Sequence, residues 1–197
     1  MSVRLADGIT FEEFDPLTKR DVEGLQAMFT DYLLEEFERI NELAFGNPAA
    51  GFLMTVFIHV DGQDAGFMAL DAARRAVEII YVKPEYRGRG LATLALRHTA
   101  DACPQKLALK TPLSPGGEAL AEQLDLARAD NLPHEEAKNE QALQTIRNGI
   151  KATCTHGKKG GDPRKLCQRC YRKTLRRYAE MMVEKNVAEA RAARGRY

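Results

Sequence analysis

Val82-Lys83-Pro84-Glu85-Tyr86-Arg87-Gly88-Arg89-Gly90-Leu91-Ala92 links an apolar run to an apolar helix pattern. The run before it, residues 77–82, is apolar on both faces except at Glu78, as a central strand requires. Pro84 ends that strand, because proline has no N–H to give to a ladder. Gly88 and Gly90 then stand two apart at the mouth of a helix over residues 91–103, which Pro104 stops. Such a loop turns several backbone N–H groups inward, and the helix dipole adds positive potential. Arg87 and Arg89 strengthen the pull on an anion, so the physical expectation is a pyrophosphate site. A Walker loop is excluded, since the Gly-Lys-Ser/Thr ending is missing. A dinucleotide fingerprint is excluded too, since it needs three glycines and an acidic residue on the following strand.

Outward from this loop the chain alternates helix and strand. Residues 9–14 read as a short strand, and from Leu17 the pattern turns helical through Leu25, Met28, Phe29, Leu33 and Phe37 to Phe45. Gly46-Asn47-Pro48 stops it. Asp31, Glu35, Glu38 and Glu42 share one face of this stretch, either a solvated surface or an acidic lip that draws a cationic substrate. Residues 52–60 and 65–71, joined by Asp61-Gly62, read as a β-hairpin. Downstream come short strands at 107–109 and 126–129 on either side of a helix at 117–124. A polar helix from Pro133 to about Gly149 has few apolar positions (Ala137, Leu143, Ile146) and reads as a connector.

The net charge of +1 conceals an opposition. Residues 1–149 hold 15 Lys and Arg against 24 Asp and Glu, whereas residues 150–197 hold 14 against 4. An acidic body and a basic tail suggest parts with different partners. The 44% hydrophobic content of 197 residues supports a full core. No apolar run approaches a membrane span, and no signal-peptide pattern opens the chain, so the expected location is intracellular and cytoplasmic, with no membrane partner. Three of the four cysteines crowd into residues 154–170, which is not the layout of a secreted disulfide framework.

The loop resembles the coenzyme A loop of GNAT-type N-acetyltransferases, whose pattern Arg/Gln-x-x-Gly-x-Gly/Ala is filled here by Arg87, Gly90 and Ala92. The preceding Val-x-Pro-x-Tyr-Arg-Gly run is equally typical, and the order of two helices, a hairpin and a central strand agrees over roughly residues 5–130. The resemblance implies acetyl-coenzyme A as cosubstrate. The backbone of Tyr81, Val82 and Lys83 would hold the pantetheine arm and acetyl carbonyl, and Arg87, Gly88, Arg89, Gly90, Leu91 and Ala92 the pyrophosphate. A backbone N–H near Val82 would steady the oxyanion as an amine acceptor attacks. Glu78 lies where such enzymes keep a carboxylate that takes the amine proton; alternatively it is a strand carboxylate paired with Arg74 or Arg75. The sequence departs from the family after the next strand. Ser114 falls on the usual Asn, Leu120 on the Leu and Ala121 on the Tyr that protonates the leaving thiolate, so Tyr86 or Tyr32 would have to substitute. The family's last strand hairpin has no counterpart, since a polar helix begins at Pro133.

Cys154-x-His156 is followed ten residues later by Cys167-x-x-Cys170. Thiolates and an imidazole at this spacing suit a tetrahedral Zn2+, with the turn-rich loop 157–163 folding back across it. The arrangement resembles small treble-clef-type zinc motifs, in which the second ligand pair opens a helix. A structural ion would then be the folding energy of a segment with little to bury. Lys158, Lys159, Arg164, Lys165, Arg169, Arg172, Lys173, Arg176 and Arg177 surround it, which suits nucleic-acid phosphates or an acidic protein surface, the chain's own body included.

The expected fold class is therefore α/β of the α+β kind: a GNAT-like mixed sheet flanked by helices, plus a small helical zinc-binding C-terminal module. Residues 1–130 would form the acetyltransferase domain, 131–150 a helical linker and 151–197 the basic module. The expected function is N-acetyl transfer from acetyl-coenzyme A to an amine. The alternatives are a GNAT-fold interaction protein without catalysis and a nucleic-acid-binding adapter.

Overall fold

A computed structural model of the chain describes residues 2–40, 47–103, 105–154 and 168–194. In chain order the elements are β1 (Ser2–Ala6), β2 (Ile9–Glu13), α1 (Lys19–Ile40), β3 (Leu53–Val60), β4 (Gln63–Asp71) and β5 (Ala76–Val82). They continue with α2 (Leu91–Ala102), β6 (Ala108–Lys110), α3 (Pro115–Gln123), β7 (Ala127–Ala129), α4 (Pro133–Thr153) and α5 (Gln168–Arg194). The strands form one sheet in sequence order. Pairing is antiparallel from β1 to β5 and parallel from β5 through β6 to β7.

The hairpin expected at Asp61-Gly62 is present, with both residues at positive φ (50° and 77°), the conformation that matches the twist of two-residue β-hairpins. β1 was not anticipated from the sequence. It is an exposed edge strand whose Val3 and Leu5 are only partly buried against the core, so its pattern is weak. The helix after β2 is one unbroken element to Ile40, and its expected stop lies beyond it, partly outside the described residues.

One irregularity in β5 shapes the rest. Along β4 the register passes from Ala69 opposite Ile79 to Leu70 opposite Val77, leaving Glu78 as an extra residue. A bulge of this kind bends the strand and re-aims a side chain. Val77 faces the core formed with α2 and α3, while Ile79 faces the core formed with α1. Glu78 turns to the α1 side as well, where it meets Lys110. β5 pairs with β6 only at Ala76 and Val77, so β5 runs on to Val82 with no strand among the described residues on that edge.

On the other face of the sheet α1 packs through Leu25, Phe29, Leu33 and Phe37, and α4 and α5 join the same core. The helix expected as a linker buries Leu143, Ile146 and Ile150 there, and it runs on to Thr153. In α5 the buried positions Tyr171, Leu175, Ala179, Val183 and Val187 recur every four residues, one continuous stripe that winds slowly round the helix. The helical pair α4–α5 follows β7, at the point in the chain where the family's last strand hairpin was sought.

Candidate functional site

Where β5 loses its partner strand, a cleft of about 660 Å³ opens between β5, the loop into α2, α1 and the start of α3. Its floor is the edge of Ile80, Tyr81 and Val82. Gly66 on β4 makes the strand end here fit, because a Cβ at that position would lie 2.2 Å from the Tyr81 carbonyl oxygen. Sequence reading missed Gly66; a glycine inside a strand pattern was the available signal. The loop begins with a single 3-10 turn over Pro84–Tyr86, and Arg87 is extended. Gly88 and Gly90 adopt φ of 76° and 73°. That region penalises any Cβ, so both glycines are needed for the backbone path. Gly90 caps α2 without a side-chain acceptor, so no capping side chain satisfies the helix's first N–H groups, and Leu91, Ala92 and Thr93 line the cleft. A groove with free helix N–H groups at one end and an unpaired strand edge along its floor fits a ligand that carries phosphate and amide groups.

Of the residues expected at the coenzyme, Tyr81, Val82, Arg87, Gly88, Gly90, Leu91 and Ala92 line this cleft, while Lys83 and Arg89 stand outside its lining. Lys83 donates its N–H to the Ala65 carbonyl at 2.8 Å, which ties the end of β5 to β4. The Arg89 guanidinium lies over the Tyr86 ring, 5.3 Å from its centroid. The wall from α1 comprises Tyr32 and Glu35, singled out in the sequence as a substitute proton donor and as part of the acidic face, and Glu36 and Arg39, which carried no such signal. Arg87 spans the opening: its Nε donates to the Val82 carbonyl at 2.8 Å and its Nη2 reaches Glu35 at 2.6 and 2.9 Å. Arg39 holds Glu36 at 2.6 Å in the same way. Burial, with the Glu36 carboxylate nearby, pushes the Tyr32 hydroxyl far up, and burial beside Glu35 does the same to Tyr81.

These pairs recast the acidic stripe of α1. Glu35 is matched by Arg87, and Glu38 accepts the Tyr171 hydroxyl and pairs with Arg172 of α5 at 3.3 Å. Asp31 remains exposed, its pKa raised mainly by partial desolvation, and Glu42 lies outside the described residues. The basic tail thus docks in part on the acidic body of its own chain.

Glu78 is not in the β5 cleft. Its side chain is 2% exposed, and one oxygen meets Lys110 Nζ at 2.6 Å. Lys110, also buried, reaches Glu135 of α4 at 2.8 Å, and Arg74 binds Glu135 at 3.1 Å and stands 3.8 Å from Glu78. The expected partner Arg74 is therefore secondary, and Lys110 is the main one. Desolvation raises the Glu78 pKa, with Lys110 opposing. Burial would raise Glu135 too, but the Leu132 N–H and the Lys110 ammonium hold it below the usual carboxylate range. Ala121, which aligns with the family's Tyr, is 1% exposed inside the core with α2, so no proton donor stands there. Tyr32 and Tyr86 both line the cleft.

Of the four expected zinc ligands, Cys154 caps α4 and is buried, and Cys170 lies in the first turn of α5, half-buried. His156 and Cys167 lie outside the described residues. Among the described residues no group of three or more His, Cys, Asp or Glu side chains is arranged to hold a metal. Cys103 is half-buried and packs beside the α2 core. No described helix is long and apolar enough to cross a membrane.

With this geometry in hand, the comparisons define the class of protein. Residues 14–114, just over half of the chain, match the acetyltransferase (GNAT) family. This chain belongs to the acetyltransferase (GNAT) family, whose general activity is acetyl transfer from acetyl-coenzyme A to an acceptor. Among solved structures it is similar to an acetyl transferase from Salmonella typhimurium that modifies the N-terminal serine of 50S ribosomal subunit protein L7/L12. That likeness has 13% identity and a TM-score of 0.42, and it covers 62% of this chain and 83% of the other. No curated protein sequence matches.

Proposed function

We propose that the chain transfers the acetyl group of acetyl-coenzyme A to an amine, using the β5 cleft for the coenzyme. The observation that carries this reading is the unpaired edge of Ile80–Val82 running into a glycine loop at a helix N-terminus. The free N–H groups of α2 hold the pyrophosphate, with Arg87 adding charge at the mouth. Lys83 and Arg89 act from outside the lining, the first by fixing the strand end through its N–H and the second by local positive potential. Acetyl-coenzyme A supplies the activated thioester, and a backbone N–H at the floor steadies the developing oxyanion. Tyr32, which lines the cleft, replaces the missing family tyrosine as proton donor to the thiolate. Glu78 takes the amine proton through its second oxygen, directly or through water.

Isothermal titration with acetyl-coenzyme A tests the assignment. Binding is expected in the full chain and is weakened about 100-fold or more in Gly90→Glu, which strains the backbone and sets a carboxylate at the phosphate position; this corresponds to about 2.7 kcal/mol. Undiminished binding in that variant would sink the assignment. Tight coenzyme binding with no thiol release across an amine panel favours a non-catalytic interaction protein, which buried Ala121 and the Glu78–Lys110 pair would suit.

We further assign residues 1–130 as the acetyltransferase body, 131–150 as the connecting helix and 151–197 as a basic module. A structural Zn2+ on Cys154, His156, Cys167 and Cys170 joins α4 to α5. The support is that two of the four thiol and imidazole donors sit at the ends of these helices that face the same loop. Metal analysis of the purified chain and of Cys167→Ser decides this, and metal-free wild type ends the claim. The exposed Arg169, Lys173, Arg176 and Arg177 form a docking face for an anionic partner. Salt-sensitive binding to DNA or RNA separates nucleic acid from an acidic protein.

A further inference from the structure

Behind β5, on the side away from the glycine loop, lies a second cavity of about 740 Å³ between the sheet and the helices α4 and α5. A narrow space of about 80 Å³ lies between the two: it shares Tyr32, Arg39 and Ser114 with the β5 cleft, and Glu78 and Lys110 with the larger cavity. Glu78 therefore stands at the junction. Its Oε1 is buried and accepts no hydrogen bond, and among the described residues no other buried carboxylate oxygen is left so. Arg74 stands 3.8 Å from it, beyond hydrogen-bond reach. A buried lone pair without a donor is costly, and an amine N–H removes that cost.

The charges around this oxygen are sorted by depth. Inside, Asp71, Glu78 and Glu135 oppose Arg74 and Lys110, leaving one negative charge; at the exposed mouth Lys138 and Lys185 oppose Glu189, leaving one positive. Met182 of α5 adds apolar surface to the same cavity. A ligand that matches has an amine at one end and an acid at the other, and the volume suits a small molecule.

Resting on the acetyltransferase reading, we propose that this cavity is the acceptor site and that the acceptor is a small amino-carboxylate, its amine on Glu78 and its carboxylate at Lys138 and Lys185. The neutral amine nitrogen bonds to the acetyl carbon as the C–S bond breaks. The ammonium first gives one proton to Glu78; the proton that the nitrogen sheds on acylation returns to Tyr32 as Tyr32 protonates the thiolate, so the products are the N-acetyl acid and the coenzyme thiol, and Glu78 releases its proton to solvent.

The test uses the full chain, ω-amino carboxylates of three to six carbons and the matching alkylamines. In the thiol-release assay one length of the amino acid series exceeds its alkylamine at least tenfold in kcat/KM. That preference falls to near one in Lys138→Glu/Lys185→Glu, whose positions are exposed and tolerant of change. Titration of the best amino acid without coenzyme gives saturable binding, weakened at least tenfold in Glu78→Gln. Alkylamines that match or exceed the amino acids, a preference that survives charge reversal, absent binding, or binding without turnover would each overturn the proposal. Acetyl-coenzyme A titration is independent of all of these, so failure of the coenzyme site and failure of the acceptor site read out separately.

Discussion

On one side of Glu78 lies a cleft made largely of backbone, and on the other a cavity made largely of side chains. The β5 cleft takes its floor from a strand edge left unpaired after Val77 and its far end from Gly88, Gly90 and the first turn of α2. Its key parts lie within about a dozen consecutive residues. The second cavity needs Arg74 after β4, Glu78 in β5, Lys110 in β6, Glu135 in α4 and Met182 in α5. Backbone chemistry follows from local sequence, because φ preference and hydrogen-bonding capacity belong to each residue. A cluster of charges exists only after distant elements have packed.

The sharpest way to break this contrast is Lys110→Ala. It strips a buried carboxylate of its main partner, and about 3–5 kcal/mol of stability is expected to go at neutral pH. Desolvation raises the Glu78 pKa and the Lys110 ammonium opposes it, so without Lys110 the carboxyl takes up a proton more readily. The loss therefore shrinks as pH falls and Glu78 becomes neutral. Urea unfolding at two pH values measures both, and a loss below about 1 kcal/mol would mean that the charge cluster does not hold the wall.

Leu175→Ala, fully buried in α5, is expected to cost about 2–5 kcal/mol, since α5 shares the core of α1 and the sheet. A tail that unfolds in a separate transition, leaving the body intact, would contradict that shared core. Glu135→Gln tests the outer part of the cavity by pH. Its carboxylate is held below the ordinary range, so its stabilisation is present above that range and disappears as pH falls through it. The variant should flatten the acid limb of a melting-temperature profile, and an unchanged limb would remove Glu135 from the network. The smallest effect belongs to the mouth of the cleft. Glu35→Gln removes a half-exposed partner of Arg87 and should change stability by less than about 1 kcal/mol. Acetyl-coenzyme A affinity should then rise a few-fold, because Arg87 is released to the phosphates; weaker binding would show that the pair holds the cleft in its working shape.

Much of the sheet was legible in advance. The hairpin at Asp61-Gly62, the central strand, the helix after Gly90 and the short elements from β6 to β7 all carry their signals within a few residues. β1 was not legible, because an edge strand with Arg4 and Asp7 around it buries too little to show a clear pattern. The spacing of Leu143 and Ile146 was visible, but few apolar residues on a polar helix do not tell whether it spans solvent or packs; α5 supplied the missing surface. The acidic stripe of α1 read as a solvated face or an acidic lip, and two of its carboxylates, Glu35 and Glu38, are matched to Arg87 and Arg172 from elements far along the chain. Lys110, the last residue of the short strand β6, carried no sign that it would be 4% exposed.

Local spacing was thus enough for the family and for the backbone path of the glycine loop, since each is a property of neighbouring residues and the backbone they permit. Tertiary packing alone decided which side of the sheet Glu78 faces and which cations surround it. A one-residue bulge reverses a side chain's direction, and Coulomb attraction acts only between groups that the fold has brought together out of water.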